Sequence, residues 1–154
     1  MRKTAILVAL LLAATPVLAP AQAIGVQAAG VNTSGTNVTL TTTSETSIIS
    51  SGAVTLPRAN GIVVVIAWAQ LTTGAATTTV TPRIRQGTAT TGTLVGEANA
   101  VTIGAAAGST EVFTIFVSEE RSNVANVQYN LTLQQAAATG NGTALQAGIL
   151  VLIL

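Results

Sequence analysis

The sequence has neither cysteine nor histidine, and its 154 residues include only six basic and five acidic side chains. Without cysteine there are no disulfides, and without cysteine or histidine the usual ligands of structural zinc are missing. The lack of histidine also removes the most common general acid–base group. Charged residues make up 7% of the chain, against about 25% in an average globular domain. Such scarce charge does little to oppose association between copies.

The remaining polar residues form no catalytic or metal-binding pattern. Glu119 and Glu120 are the only adjacent acidic residues, and neighbours in an extended segment point in opposite directions. Serine and threonine are abundant, but no base is available to activate them. Neither a Walker-type nor a dinucleotide-binding glycine motif occurs. We therefore predict a protein that is not an enzyme, with no catalytic residue, no metal and no cofactor.

The N-terminus has the composition of an export signal. Arg2 and Lys3 precede an apolar stretch from Thr4 to Ala14, and Ala21-Gln22-Ala23 has the small-x-small form of a cleavage site. We predict a signal peptide over residues 1–23. The alternative is a retained membrane anchor.

The two alternatives place the protein differently. Cleavage leaves a chain that begins at Ile24 and is extracellular or exposed on a cell surface, whereas retention holds it in a membrane, such as that of a virion, through residues 4–19. Beyond Ala23 the chain has four arginines against five glutamates, a net charge of −1. Because this composition provides no basic surface, we predict no nucleic-acid partner.

The rest of the chain is a series of short β-type runs separated by turn residues, without a helical period. Residues 24–37 are small and uncharged, and we predict a flexible arm there, followed by a β domain over residues 38–154. The domain should contain eight or nine antiparallel strands, in the segments Val38–Thr43, Ser47–Leu56, Ile62–Leu71, Thr77–Gln86, Thr93–Glu97, Ala100–Ile103, Glu111–Ser118, Asn126–Gln134 and Ala144–Leu154.

Two of these segments are apolar on both faces, namely Ile62–Leu71 and the last strand from Gly148 onward. By contrast, Asn126–Gln134 alternates apolar and polar residues, as a strand with one solvent face should. An antiparallel sandwich covers only one face of each sheet. The second apolar face therefore needs a covering loop or, as we prefer, a second subunit. The predicted interface residues here are Ile62, Val63, Val64, Val65, Ile66, Trp68, Leu150 and Leu152.

Arg83 and Arg85 lie two residues apart and share one face of their predicted strand. We assign them to the oligomer interface, where they would pair with Glu97, Glu119 or Glu120. The alternatives are a site for an anionic ligand and a solvated face, where ion pairs contribute little. Pro82 lacks a backbone donor, which predicts an edge strand or a bulge.

Four N-x-S/T sequons are present; some arise by chance in a threonine-rich chain, but in an exported protein such sites are acceptors for glycans. The candidate glycosylation sites are Asn32, Asn37, Asn130 and Asn141.

The strand pattern also resembles a known architecture. The stretch from Ile62-Val63-Val64-Val65-Ile66-Ala67-Trp68 through Arg83-Ile84-Arg85 to Gly148-Ile149-Leu150-Val151-Leu152 resembles virion jelly-roll proteins, including capsid and spike subunits. It is also similar to the trimeric tumour-necrosis-factor-like jelly rolls. The resemblance covers residues 38–154 at the level of pattern, and it implies an antiparallel β-sandwich of jelly-roll type that forms a homo-oligomer, either a trimer or a filament.

We therefore expect a structural subunit of an exterior self-assembling structure, of the virion capsid or spike type. Two alternatives stay open. The signal and the arm are also typical of a secreted cell-surface or pilus-type filament subunit. Loops on a β scaffold bind many ligands, which would suit a secreted glycan-binding module.

Overall fold

The structure, a computed structural model, describes residues 27–34, 37–55, 61–74, 76–106, 108–121, 127–138 and 140–154. The predicted signal or anchor over residues 1–23 lies outside these residues. Within them the chain forms ten β-strands and no helix: β1 (Gln27–Ser34), β2 (Val38–Thr39), β3 (Thr46–Ser50), β4 (Gly61–Thr72), β5 (Thr78–Gln86), β6 (Leu94–Glu97), β7 (Val101–Ile103), β8 (Thr110–Arg121), β9 (Tyr129–Gln135) and β10 (Thr143–Ile153).

The strands form two antiparallel sheets that pack face to face. Sheet A has the order β1-β10-β4-β8, and β2 also pairs with β10. Sheet B has the order β3-β9-β5-β6, and β7 also pairs with β5. The chain changes sheet after β2, β3, β4, β7, β8 and β9. The prediction of an all-β antiparallel sandwich is therefore confirmed.

The hydrophobic core lies between the sheets and follows from the alternation of side chains along each strand. The inward residues of β4 are Val63, Val65, Ala67, Ala69 and Leu71, all fully buried. They face the inward residues of sheet B, which include Ile84 of β5 and Tyr129, Leu131 and Leu133 of β9. Small alanines on β4 beside these larger side chains let the two layers interdigitate.

The segment Gln27–Ser34, part of the predicted flexible arm, is instead an edge strand. It pairs with β10 of the same chain, with Ala28 opposite Leu152 and Val31 opposite Leu150. The prediction failed because this segment has no alternating pattern of its own. Backbone groups along the free edge of β10 supply its hydrogen bonds, and such pairing leaves little trace in a sequence.

Pro82 lies in β5, an interior strand of sheet B, so the edge position predicted for it is wrong. The interruption occurs in the neighbouring strands instead. β6 pairs with Arg83–Arg85 and β7 with Thr78–Val80, and between them the carbonyl of Pro82 accepts a hydrogen bond of 3.0 Å from the backbone of Ala98. The N–H and C=O of a residue point to the same side of a strand. The N–H that Pro82 lacks would therefore point into the gap between β6 and β7.

The core predicts a large difference between two identical substitutions. Leu133→Ala removes a fully buried side chain and should lower the free energy of unfolding by about 2–5 kcal/mol. Leu94→Ala, at an exposed position on β6, should cost less than about 1 kcal/mol. Chemical denaturation of the two variants beside the parent measures both values. Equal losses would contradict the placement of the core.

Candidate functional site

The outer face of sheet A is apolar, although it faces away from sheet B. We call it the apolar face, and its residues are Ile62, Val64, Ile66 and Trp68 of β4, Val112 and Phe116 of β8, and Leu150 and Leu152 of β10. Ile66 is its centre, opposite Leu150 on one side and Phe116 on the other. Among the described residues, no strand outside sheet A covers it.

Polar residues surround this surface. Trp68 lies opposite Thr114, and Val64 lies opposite Ser118. Gln70 and Gln146 form the next row, and Glu120 lies opposite Ile62. An apolar centre with a polar rim is the usual anatomy of a protein–protein interface.

Exposure varies across the apolar face. Val64 is only 6% exposed because its neighbours cover it, whereas Ile62 is 43% exposed. Phe116 and Val112 reach 65% and 64%. The centre is therefore already packed, and the β8 side is open to solvent.

Trp68 lies across the neighbouring strand, above Gly148 of β10. The two residues are paired in register, and a Cβ atom at Gly148 would overlap the indole Nε1 and Cε2 of Trp68. Glycine is therefore required for the indole to lie close against the sheet.

Two predicted interface residues are not on this surface. Val63 and Val65 point into the core and are fully buried, as alternation requires when Val64 points outward. In turn, Val112 and Phe116 were missed by the sequence prediction. The alternation of Val112, Thr114, Phe116 and Ser118 carried a signal for a half-polar outward face, but only the pairing of β8 with β4 places it beside Ile66.

Arg83 and Arg85 lie on the outer face of the opposite sheet, in what we call the Glu45 cluster. Its members are Glu45, Arg83, Arg85, Glu97, Thr132 and Gln134. Arg85 binds Glu45 with two hydrogen bonds, Nε to Oε1 at 2.5 Å and Nη2 to Oε2 at 2.6 Å. Thr132 also donates to Glu45 Oε1. This bidentate geometry is the strongest form of an arginine–carboxylate contact.

Arg83 links the cluster to β6. Its Nε donates to Oε2 of Glu97 at 2.5 Å and its Nη1 to Oε2 of Glu45 at 3.3 Å. Nη1 also donates to Oε1 of Gln134. The two arginines and two glutamates balance in charge. Arg83 and Glu97, predicted to pair between subunits, pair within one chain.

Glu45 is the centre of this network and was not predicted. Its side chain is 12% exposed. Burial alone would raise the pKa of Glu45, but hydrogen bonds from Arg85 and Thr132 and the charges of both arginines hold it below the ordinary value. Glu45 lies about forty residues before the two arginines and 87 before Thr132, in a run of threonine and serine, so no local spacing indicates these contacts.

Two polar residues of β9 that were expected to face solvent are buried on this side of sheet B. Asn130 and Thr132 lie on the outer side of β9, yet both are fully buried. Hydroxyl groups of Ser47 and Ser50 donate to Oδ1 of Asn130 at 3.0 and 3.4 Å. This part of sheet B therefore has a polar layer above it, in which Oδ1 of Asn130 accepts hydrogen bonds while its buried Nδ2 has no partner.

The burial of Asn130 does not favour it as a glycan acceptor, since its amide nitrogen has almost no accessible surface. Asn37 and Asn141 are exposed. The threonines of these two sequons, Thr39 and Thr143, are opposite each other on β2 and β10, with their hydroxyl oxygens 3.2 Å apart. Asn32 lies in β1. The two exposed sequons thus share one end of the sandwich.

A second polar cluster joins the sheets near the other end. Arg121 donates to Oε1 of Glu119 at 2.9 Å and to Gln86 at 2.6 Å, and the Tyr129 hydroxyl donates to Glu119. Burial and the neighbouring carboxylate raise the pKa of Tyr129 above its ordinary range. The phenol therefore stays protonated and acts as a hydrogen-bond donor rather than a base.

Neither polar cluster has the composition of a metal centre. Within the described ranges, no three residues of the His, Cys, Asp and Glu types lie together in a way that could hold an ion. The same part of the chain contains no helix that is long and apolar enough to cross a membrane. The sequence matches no protein-family model and has no significant match among curated proteins. The features of the described residues that bear on function are therefore the two outer faces.

The contact between Trp68 and Gly148 gives a direct test of the apolar face. Gly148→Ala should push the indole away from the sheet and expose it, which shifts its fluorescence emission to longer wavelength. The signal is specific because Trp68 is the only tryptophan. Gly52→Ala, at a glycine where a Cβ atom meets nothing within 4 Å, is the control and should leave the emission unchanged.

The lowered pKa of Glu45 predicts an acid-sensitive contribution to stability. The folded state favours the carboxylate, so its contribution is complete above the ordinary pKa of 4.5 and is lost as the pH falls through the lower pKa of the folded state. Glu45→Gln should therefore flatten the pH dependence of the free energy of unfolding below that value. Chemical denaturation across a pH series tests this.

Glu120→Gln is the matched control, because it removes the same charge from an exposed position on β8. It should leave the pH dependence close to that of the parent. If Glu45→Gln follows the parent curve as closely as the control does, the network contributes nothing to acid stability.

Proposed function

We propose that this protein is a non-enzymatic structural subunit of an exported, self-assembling structure of the virion capsid or spike type. The apolar face is the observation that carries the proposal. A monomer seldom leaves a contiguous apolar surface on the outside of a sheet, and such a surface marks an interaction site. In this proposal its partner is another copy of the chain.

The strand order supports a jelly roll, which is the architecture that we propose for the sandwich. Six of the connections change sheet, and the last strand, β10, lies between β1 and β4 in sheet A. β9 likewise lies between β3 and β5 in sheet B. Two five-stranded sheets with this order of strands fit a double Greek key.

The difference between the two outer faces also supports assembly through sheet A. On sheet B, the arginines and glutamates are neutralised within the chain, and Asn130 and Thr132 are covered. On sheet A, burial of the exposed Ile62, Val112 and Phe116 would remove apolar surface from water. This contributes about 25 cal/mol for each Å² buried. Sheet A therefore has more to gain from a partner.

Two observations weigh against the alternatives. An arm that added a strand to a neighbouring subunit would suit a filament, but residues 27–34 already pair with β10 of their own chain. A glycan-binding platform built on Trp68 would need an accessible ring face beside polar groups. The indole instead lies against Gly148 of β10 and is half-buried.

Leu150→Glu tests the proposal, because it places a carboxylate at the centre of the apolar face. An unpaired charge buried in an interface costs several kcal/mol, so self-association should weaken by more than about a hundredfold. Sedimentation velocity over a concentration series measures this, and circular dichroism verifies that the variant is folded.

Thr102→Glu is the control, since it adds the same charge to the exposed outer face of sheet B. It should assemble like the parent. A parent chain that remains monomeric at micromolar concentration, or a Leu150→Glu variant that assembles normally, would overturn the proposal.

A further inference from the structure

β8 is the last strand of sheet A, and in the part of the chain that the structure describes its outer edge has no partner strand. A free edge exposes backbone N–H and C=O groups, which can pair with another extended chain. Proteins usually protect such edges with short strands, bulges, proline or lysine. An edge strand without such protection is therefore a candidate for pairing with another chain.

The other described edges have this protection. β1 has a register shift between Ala28 and Gly30, and β3 has only five residues with a shift between Ser47 and Ile49. β6 and β7 have four and three residues. By contrast, β8 runs over twelve residues, pairs with β4 without a single shift and contains no proline. Its charged residues lie near its two ends, outside the stretch Val112–Ser118. It is thus the one long and regular edge among the described strands.

β8 also carries the two most exposed large hydrophobic side chains of the described residues. Val112 is 64% and Phe116 65% exposed. They lie four residues apart on the outer side of the strand, with the exposed Thr114 between them. An exposed edge with apolar side chains is a site of association.

We propose that β8 pairs antiparallel with β8 of a second copy, about a two-fold axis that passes through Thr114. This interface deepens the proposed function, since it rests on assembly between copies of the chain. Thr114 then lies opposite Thr114 of the second copy, and Val112 lies opposite Phe116 in both directions. The apolar pair is formed twice, as an isologous interface requires.

The self-complementarity of the sequence selects this register. A two-fold axis perpendicular to the sheet places outward residues opposite outward residues. Moving this axis by one residue along β8 shifts the partner of every residue by two positions. An axis through Ile115 would place Glu111 opposite Glu119 twice, and like charges directly opposite destabilise a sheet. An axis through Phe116 would place Val112 opposite Glu120. An axis through Phe113 would place Phe116 opposite Thr110.

The axis through Thr114 avoids these mismatches. Glu111 then lies opposite Val117, and the paired segment ends at Ser118, before Glu119 and Glu120 begin. Pairing would make sheet A continuous across both copies. The two apolar faces would then adjoin on one side and form a single surface of twice the width, available to further copies.

Cysteine cross-linking tests the register, and the chain has no native cysteine to interfere. In the full chain, Thr114→Cys brings two thiols opposite each other across the axis, at a separation that a disulfide can span. Mild oxidation should convert most of this variant to a covalent dimer. Ser118→Cys is the matched control on the same face. Its two thiols would be eight residues out of register, about 27 Å apart, and should not cross-link.

Charge pairing supplies a second test that does not depend on oxidation. Thr114→Lys and Thr114→Glu each place like charges face to face and should weaken dimer formation by about fivefold or more. A mixture of the two should recover parent affinity, because only mixed dimers place lysine opposite glutamate. Ser118→Lys adds the same charge away from the axis and should have little effect. Sedimentation equilibrium measures all four samples.

The outcomes separate the two proposals. A parent that assembles while Thr114→Cys fails to cross-link, or a lysine–glutamate mixture no tighter than either variant alone, overturns the β8 pairing only. A parent that stops at a dimer, cross-linked through Thr114 and insensitive to Leu150→Glu, overturns assembly through the apolar face but leaves the β8 pairing intact. A monomeric parent overturns both. If the charged variants do not fold, the cysteine pair decides.

Discussion

The structure depends on one constraint, which is that β4 and β10 are apolar on both sides. Neighbouring residues of a strand point to opposite faces, so a run such as Ile62–Leu71 must supply one apolar face to the core and a second to the outside. Sheet B covers the inner apolar face of sheet A. In the part of the chain that the structure describes, no strand covers the outer face in the same way, and the difference between the two sides of the sandwich follows from this.

The charged residues of the Glu45 cluster lie on the outer side of sheet B, on the opposite side of the sandwich from the apolar face. The outer side of sheet B holds the Glu45 cluster, in which Arg83 and Arg85 are neutralised at short range. A chain with so few charges could have distributed them over its surface for solubility. Instead they tie the residues before β3 to the middle of β5 and, through Glu97, to β6. Their effect is to close one side of the sandwich.

The strand segments could be predicted from the sequence because they depend on local alternation and turn residues. Nine of the ten strands fall within or close to the predicted ranges. The contacts that join distant segments could not. β1 is held by the backbone of β10, the Arg85–Glu45 pair spans forty residues, and Asn130 is buried by a strand eighty residues earlier. The edge position predicted for Pro82 was wrong because the N–H that proline lacks would face the gap between β6 and β7. An interior strand can therefore hold a proline at this position. In the candidate site, Ile66, Trp68 and Leu150 could be predicted from two-sided apolarity, but the contribution of Phe116 required the pairing of β8 with β4.

The position of β10 has a consequence for how the chain reaches this fold. β10 is the last described strand in sequence, yet it lies between β1 and β4 in sheet A. β1 and β4 therefore have no common neighbour until more than seventy residues beyond the end of β4 have been synthesised. Contacts this distant in sequence carry a high entropic cost before they are rewarded, which slows folding. Sheet A can consequently be completed only after synthesis has passed Thr143, because β10 joins β1 to β4.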